Sequence, residues 1–147
     1  MRRLDGFGWL GGALLLVCAT AELSGCVPKP KQNYNVDQIK TLQSLDEIMR
    51  VQAQTMDPQF NHIGQATMSD ADYEGMIAAG VKIIASSEAL KTQHSQGRPP
   101  SFATYASKLG EQASELQAAA QAKDATRASN VLTAMRDPCR SCHKEHR

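Results

Sequence analysis

Cys139 and Cys142 stand three residues apart, and His143 follows the second directly, in the stretch CRSCHKEHR. Thiols and an imidazole at this spacing suit three kinds of chemistry: holding a metal ion, cycling between dithiol and disulfide, or anchoring a haem. Structural zinc needs four ligands, and no second Cys/His pair is present to complete the set. A redox CxxC ordinarily sits beside a strand in a βαβ unit, and no strand pattern surrounds this one. The two cysteines could still bond to each other in an oxidising compartment. Haem attachment needs only export, two thiols and the adjacent histidine. On a helix, residues three apart share a face, so both thiols can form thioethers to the two vinyl groups of one haem. His143, one step on, can turn its imidazole to the iron as proximal ligand. The motif is therefore read as the attachment site of one covalent haem c.

The N-terminal residues bear on export. Arg2 and Arg3 precede the apolar run Trp9 to Ala21, which is short for a membrane span and right for a signal-peptide core. The run ends in LSGC, Leu23 to Cys26, which is similar to the lipobox of bacterial lipoproteins. That resemblance implies cleavage before Cys26, lipidation of its thiol and a stable tether, since several acyl chains hold where one does not. An ordinary secretory peptide cut near Ala21 or Gly25, or an uncleaved anchor, are the alternatives. The twin arginines fit their export route poorly. Val27 after the lipidated cysteine, in place of Asp, points to the outer membrane. The expected layout is a signal peptide over 1–25, a lipidated N-terminus and spacer over 26–35, and one domain over 36–147. The spacer, VPKPKQNYN, contains two prolines among mostly polar residues and reads as semi-rigid.

Of the four cysteines, Cys18 falls in the signal and Cys26 takes the lipid, so Cys139 and Cys142 remain and no disulfide framework is available. The formal charge is +1, and so near neutrality a nucleic-acid partner is not expected. Aromatic residues make up only 5% of the chain, and a haem would supply the large planar apolar body that such a core lacks. No acid–base pair, activated nucleophile or phosphate loop appears, so catalysis is not expected.

The elements that must position the motif are helical. Ile39, Leu42, Leu45, Met49 and Met56 recur at helical spacing and predict a first helix, capped by Asn35 or Ser44 and broken or kinked at Asp57-Pro58. Phe60 and Ile63 continue it to Gly64. Ser69 opens a second helix with Tyr73, Met76, Ile77, Gly80, Ile83, Ile84 and Leu90 inward. The loop GRPP separates this from a third helix, capped by Ser101, with Phe102, Tyr105, Leu109, Ala113, Leu116 and Ala120 inward. Asp124 starts a fourth, with Ala128, Val131, Leu132 and Met135 buried ahead of the cysteines. Pro138 either kinks that helix or makes Asp137 the cap of a separate short one. The fold class is all-α: an antiparallel four-helix bundle with its haem on the last helix.

A four-helix bundle with CxxCH on its final helix resembles the cytochrome c′ family of class II c-type cytochromes. The resemblance covers Val36 to Arg147 and is carried by CRSCH, by Arg147 four residues past the histidine, and by Met49 in EIMR. The stretch SDADYEGMIAAG is similar to the second-helix opening of membrane-associated relatives. The chain departs from the family at His146, where an aromatic residue is usual, and at Pro138. The resemblance implies that Met49 faces the haem as its distal residue and that Arg147 sits near the haem edge. With Met49 on the iron the protein is a periplasmic electron carrier, low-spin and tethered to its membrane. With an open sixth position it binds small gases such as nitric oxide or carbon monoxide. Met56, further along the helix, is the second candidate. His62 reads as a solvated loop residue, His94 as exposed, and His146 as confined to the proximal side. The expected partners are a redox protein or membrane electron-transfer complex, with a homodimer left open.

Overall fold

The computed structural model describes residues 33–146. Their regular structure is entirely helical. The signal-peptide and lipobox expectations, including Cys26, and the expected role of Arg147 lie outside the described residues.

Both caps proposed for the first helix are used, and this divides it. Asn35 closes a capping box on α1, Val36–Lys40: its side chain accepts the Gln38 N–H at 2.9 Å while Gln38 accepts the Asn35 N–H at 2.9 Å. Thr41 then turns its hydroxyl back to the Gln38 carbonyl at 3.1 Å, an option that competes with helix continuation. Ser44, in extended geometry, accepts the Glu47 N–H and starts α2, Leu45–Phe60. The single first helix is thus corrected to two, and Met49 lies in the opening turns of α2. Of the two outcomes expected at Pro58, the break does not occur: the proline sits in the last turn of α2, which runs on to Phe60.

Ser69 caps α3, Asp70–Gln93, through a capping box with Asp72. The hydrogen bonds from Ser69 hold the Asp72 carboxyl below its ordinary range. α3 packs against α1, α2 and α4, so its burial spreads around the helix: Ala79, Ala85, Ser86, Ser87 and Ala89 join the predicted apolar face. The third helix begins earlier than Ser101. α4 spans Pro100–Gln121 with Pro99 at the cap position and no side-chain cap, its start set by Pro100 in the first turn. Asp124 accepts the Arg127 N–H at 2.9 Å and opens α5, Ala125–His146, which runs through Pro138 without a separate helix beginning at Asp137.

The four main helices pack antiparallel, as expected. Consecutive pairs α2–α3, α3–α4 and α4–α5 adjoin along their lengths, while α2 and α5 meet only narrowly. Two buried clusters result. One gathers Met76, Ile83, Leu116, Leu132 and Met135; the other gathers Ile39, Ile48, Val51, Leu90 and Phe102. The loop after α2 is tied to α5 where the Gly64 N–H, at a φ of 82°, donates to Ser129 Oγ at 2.7 Å. Among the described residues no helix is long and apolar enough to cross a membrane.

Gly80 lets α3 approach α4. A Cβ there would lie 2.3 Å from Gln117 Cγ and 3.0 Å from the Ala113 carbonyl. Gly75, on the same helix, has nothing closer than the Gln59 amide at 3.7 Å. Gly80→Ala should therefore destabilise the bundle by about 1–3 kcal/mol in denaturant titration. Gly75→Ala should stabilise it by about 0.5–1 kcal/mol through the lower backbone entropy of alanine. Equal effects at the two sites would show that the α3–α4 contact does not constrain the fold.

Candidate functional site

The narrow meeting of α2 and α5 leaves a cleft, and the CxxCH residues are on its wall. Cys139, Cys142 and His143 line it from α5, Met49, Ala53, Met56 and Phe60 from α2, and Phe102, Tyr105 and Leu109 from α4. The three motif residues share one face because the helix continues through Pro138, which lines the same cleft. Its empty space, open solvent at the mouth included, is about 830 Å³.

The thiols are free and half-buried. Burial pushes the Cys139 thiol up, with a further contribution from Cys142. The Cys142 thiol is pushed up by burial and by the Glu145 carboxylate, against an opposing effect of Arg98. Both therefore stay protonated at neutral pH, opposite to the depressed pKa of a reactive redox dithiol. Among the described residues no group of three or more His, Cys, Asp or Glu side chains is gathered to hold a metal ion. What the wall does present is two thiols and one exposed imidazole facing an apolar gap. That donor set fits a flat apolar group fixed through sulfur and ligated by nitrogen. When bound, a haem c would supply one-electron redox chemistry or a gas-binding iron.

A family model described as Cytochrome C′ matches residues 20–147. The chain belongs to the cytochrome c′ family. Members of that family are non-enzymatic, periplasmic haem proteins with one covalent haem c, and Cys139 and Cys142 fit its CxxCH motif. Neither a curated protein nor a solved structure matches the chain.

In this cytochrome c′ both candidate methionines line the cleft, and they differ in setting. Met56 is buried, at 4% exposure, whereas Met49 is half-buried and packs against the cluster around Ile48. Their levels follow from a contact lower in the cleft, where the Arg136 guanidinium lies 5.2 Å from the Phe60 ring centre. Counting up antiparallel helices at 1.5 Å per residue, His143 stands about 10 Å above that contact, Met56 about 6 Å and Met49 about 16 Å. His143 is thus level with the α2 stretch between the two sulfurs, near Ala53.

The remaining histidines are elsewhere. His62 accepts or donates at Gln65 and lies 3.8 Å from Asp72. His94 is half-buried against the Leu42 carbonyl at 3.1 Å, rather than exposed. His146 fills the aromatic position of the family in kind as well as in place. Its side chain is 8% exposed, with ring centres of Phe102 at 5.5 Å and Tyr105 at 6.1 Å edge-on, and its Nε2 is 3.1 Å from Ser101 Oγ. Ser101, expected as a cap, thus serves the α4–α5 contact. Alongside it the Tyr105 hydroxyl donates to Glu145 at 2.5 Å, which holds the Glu145 carboxyl below and the tyrosine above their ordinary ranges.

Periodicity alone gave no reason to single out Tyr105, Phe102, Ala53 or Pro138 as cleft residues, since an inward-facing side chain in a bundle can meet core or cofactor. Arg98, in the GRPP loop, also went unnoticed; its guanidinium lies 4.8 Å from the Phe102 ring centre. His146→Ala should lower stability by about 1–3 kcal/mol through lost packing, while His146→Phe should restore most of it. A neutral alanine variant in thermal unfolding would contradict this packing role.

Proposed function

We propose that this cytochrome c′ is a membrane-tethered, single-electron carrier of the periplasm. Cys139 and Cys142 hold the haem as thioethers, His143 is the proximal ligand and Met49 the sixth. Met49 supports this reading most directly: it lines the same cleft as the three motif residues, from the helix across it. A thioether sulfur on the iron raises the potential and favours electron transfer. Half-buried packing leaves the Met49 side chain room to turn into the cleft, whereas Met56 is committed to the core around Met76. Methionine also commonly fills core gaps, which accounts for Met56 without any ligand role.

A second reading draws on the level of His143 near Ala53. If neither sulfur reaches the iron, the sixth position is walled by a small apolar side chain and suits nitric oxide or carbon monoxide. The oxidised wild type is expected to be low-spin by absorption, and Met49→Ala to become high-spin and take up carbon monoxide readily. Met56→Ala should keep the low-spin spectrum. A high-spin wild type would move the function to gas binding, and a spectral change in Met56→Ala alone would transfer the ligand to Met56.

The tether belongs to Cys26, and Arg147 is assigned to the haem edge. Acyl chains contribute about 0.8 kcal/mol per buried methylene, far beyond what the spacer could add. Cys26→Ala should lose lipid labelling and membrane retention while keeping its haem content. Unchanged labelling would remove the lipoprotein assignment and leave the haem site untouched.

A further inference from the structure

The cations of the described surface fall into two groups. Lys40, Arg50, Lys91, Lys123 and Arg127 each pair with a carboxylate. Arg98, Arg136, Arg140 and Lys144 form no direct ion pair with a carboxylate among the described residues, Lys144 acting on the neighbouring Glu145 only through its charge, and all four are exposed. Elsewhere only Lys108 and the half-buried Lys82, which donates to Asn33, form no ion pair with a carboxylate among the described residues.

Their placement is not scattered. Arg98 lies over Phe102 and Arg136 over Phe60, two rings that line the cleft on different helices. Arg140 and Lys144 continue the row of Arg136 along α5 at steps of four, the spacing that keeps side chains on neighbouring turns of one face. That row passes beside Cys139 and His143. Of the carboxylates on this half of α5, Glu145 is engaged by Tyr105, which leaves Asp137. The rest of the molecule has the opposite sign: apart from Asp137 and Glu145, eleven carboxylates stand against seven other cations among the described residues. The charge is therefore polarised, with the cationic pole on the helix that carries the CxxCH motif.

We propose that this pole is a docking surface for an acidic face of a redox partner protein, with Arg140 and Lys144 as its outer contacts. The inference rests on the electron-transfer reading and names the partner's chemistry. Leaving four cations unpaired in a molecule otherwise rich in carboxylates costs little when they are solvated. The arrangement orients the protein in the field of an acidic partner, so that the cleft end arrives first. Guanidinium groups stacked on Phe60 and Phe102 are held in place, so less freedom is lost when a carboxylate binds them. One electron then passes from the reduced haem to an oxidised centre in the partner, or in the reverse direction.

The test uses the Cys26→Ala holoprotein, with and without the double change Arg140→Glu and Lys144→Glu. Two one-electron oxidants report the local sign: hexacyanoferrate(III), a trianion, and tris(phenanthroline)cobalt(III), a trication. Oxidation by the anion should slow about tenfold from low to physiological salt, within the range of electrostatic steering, and oxidation by the cation should not slow. The double variant should reverse that pattern. A fluorescent poly-glutamate peptide reports binding without any redox step, and the double variant should bind it at least about tenfold more weakly at low salt. Identical salt responses in both proteins, or equal peptide binding, would overturn the proposal. So would binding to mixed phosphatidylcholine–phosphatidylglycerol vesicles that the double change abolishes while peptide binding stays weak, since the pole would then serve the membrane surface. The absorption spectra of the same samples report spin state, so failure of the electron-carrier reading shows separately from failure of the docking surface.

Discussion

The close approach of α3 and α4 sets the geometry on which the site depends. Gly80 leaves space for Gln117 and the Ala113 backbone, and Ala79, Ala113, Ala119 and Ala120 keep the surrounding contacts short. α2 is carried by α3 and α5 by α4, so the spacing between α2 and α5 is inherited from the middle pair. Ala53 and Ala106 then present side chains too small to bridge it. An apolar gap is costly to leave unfilled, because its lining atoms lose their dispersion partners. The cleft is a place prepared for a flat apolar group, and the CxxCH residues stand on its wall.

Much of this was legible in the residues. Ser69 and Asp124 announced their helices, the α4 face from Phe102 to Ala120 appeared at its spacing, and the motif named its cofactor. Elsewhere, two local signals competed. Asn35 and Ser44 were each adequate caps; reading them as alternatives produced one helix where using both produces two. The same confusion hid Ile48 and Val51, which are buried, behind Leu45 and Met49, which are half-buried. Ser101 looked like a cap because hydroxyls favour that position, but Pro100 already supplied the first-turn geometry and freed the hydroxyl for His146. Apolar periodicity could not say which inward residues meet a cofactor and which meet another helix. That difference arises only when non-neighbouring helices are assembled.

The thiols illustrate how the surroundings select among chemistries that a motif leaves open. Two cysteines at this spacing would make a redox pair if a helix terminus or a cation lowered their pKa. Here burial acts in the other direction on both, and the opposing influence of Arg98 on Cys142 is secondary to it. The same half-buried, apolar setting that discourages disulfide exchange is the one in which a large apolar group is welcome.

Pro138 carries a consequence for how the attachment turn is held. A proline inside a helix contributes no N–H, so the Ala134 carbonyl has no partner in the ordinary ladder at that step. The turn bearing Cys139, Cys142 and His143 is therefore coupled to the rest of α5 by one backbone bond fewer than its neighbours. A helix with that gap has its weakest step at Pro138, between the turn that bears the attachment residues and the Ala128–Met135 face that packs the core. The contacts that His146 and Glu145 make to α4 therefore do more than backbone bonding to hold the attachment turn in place.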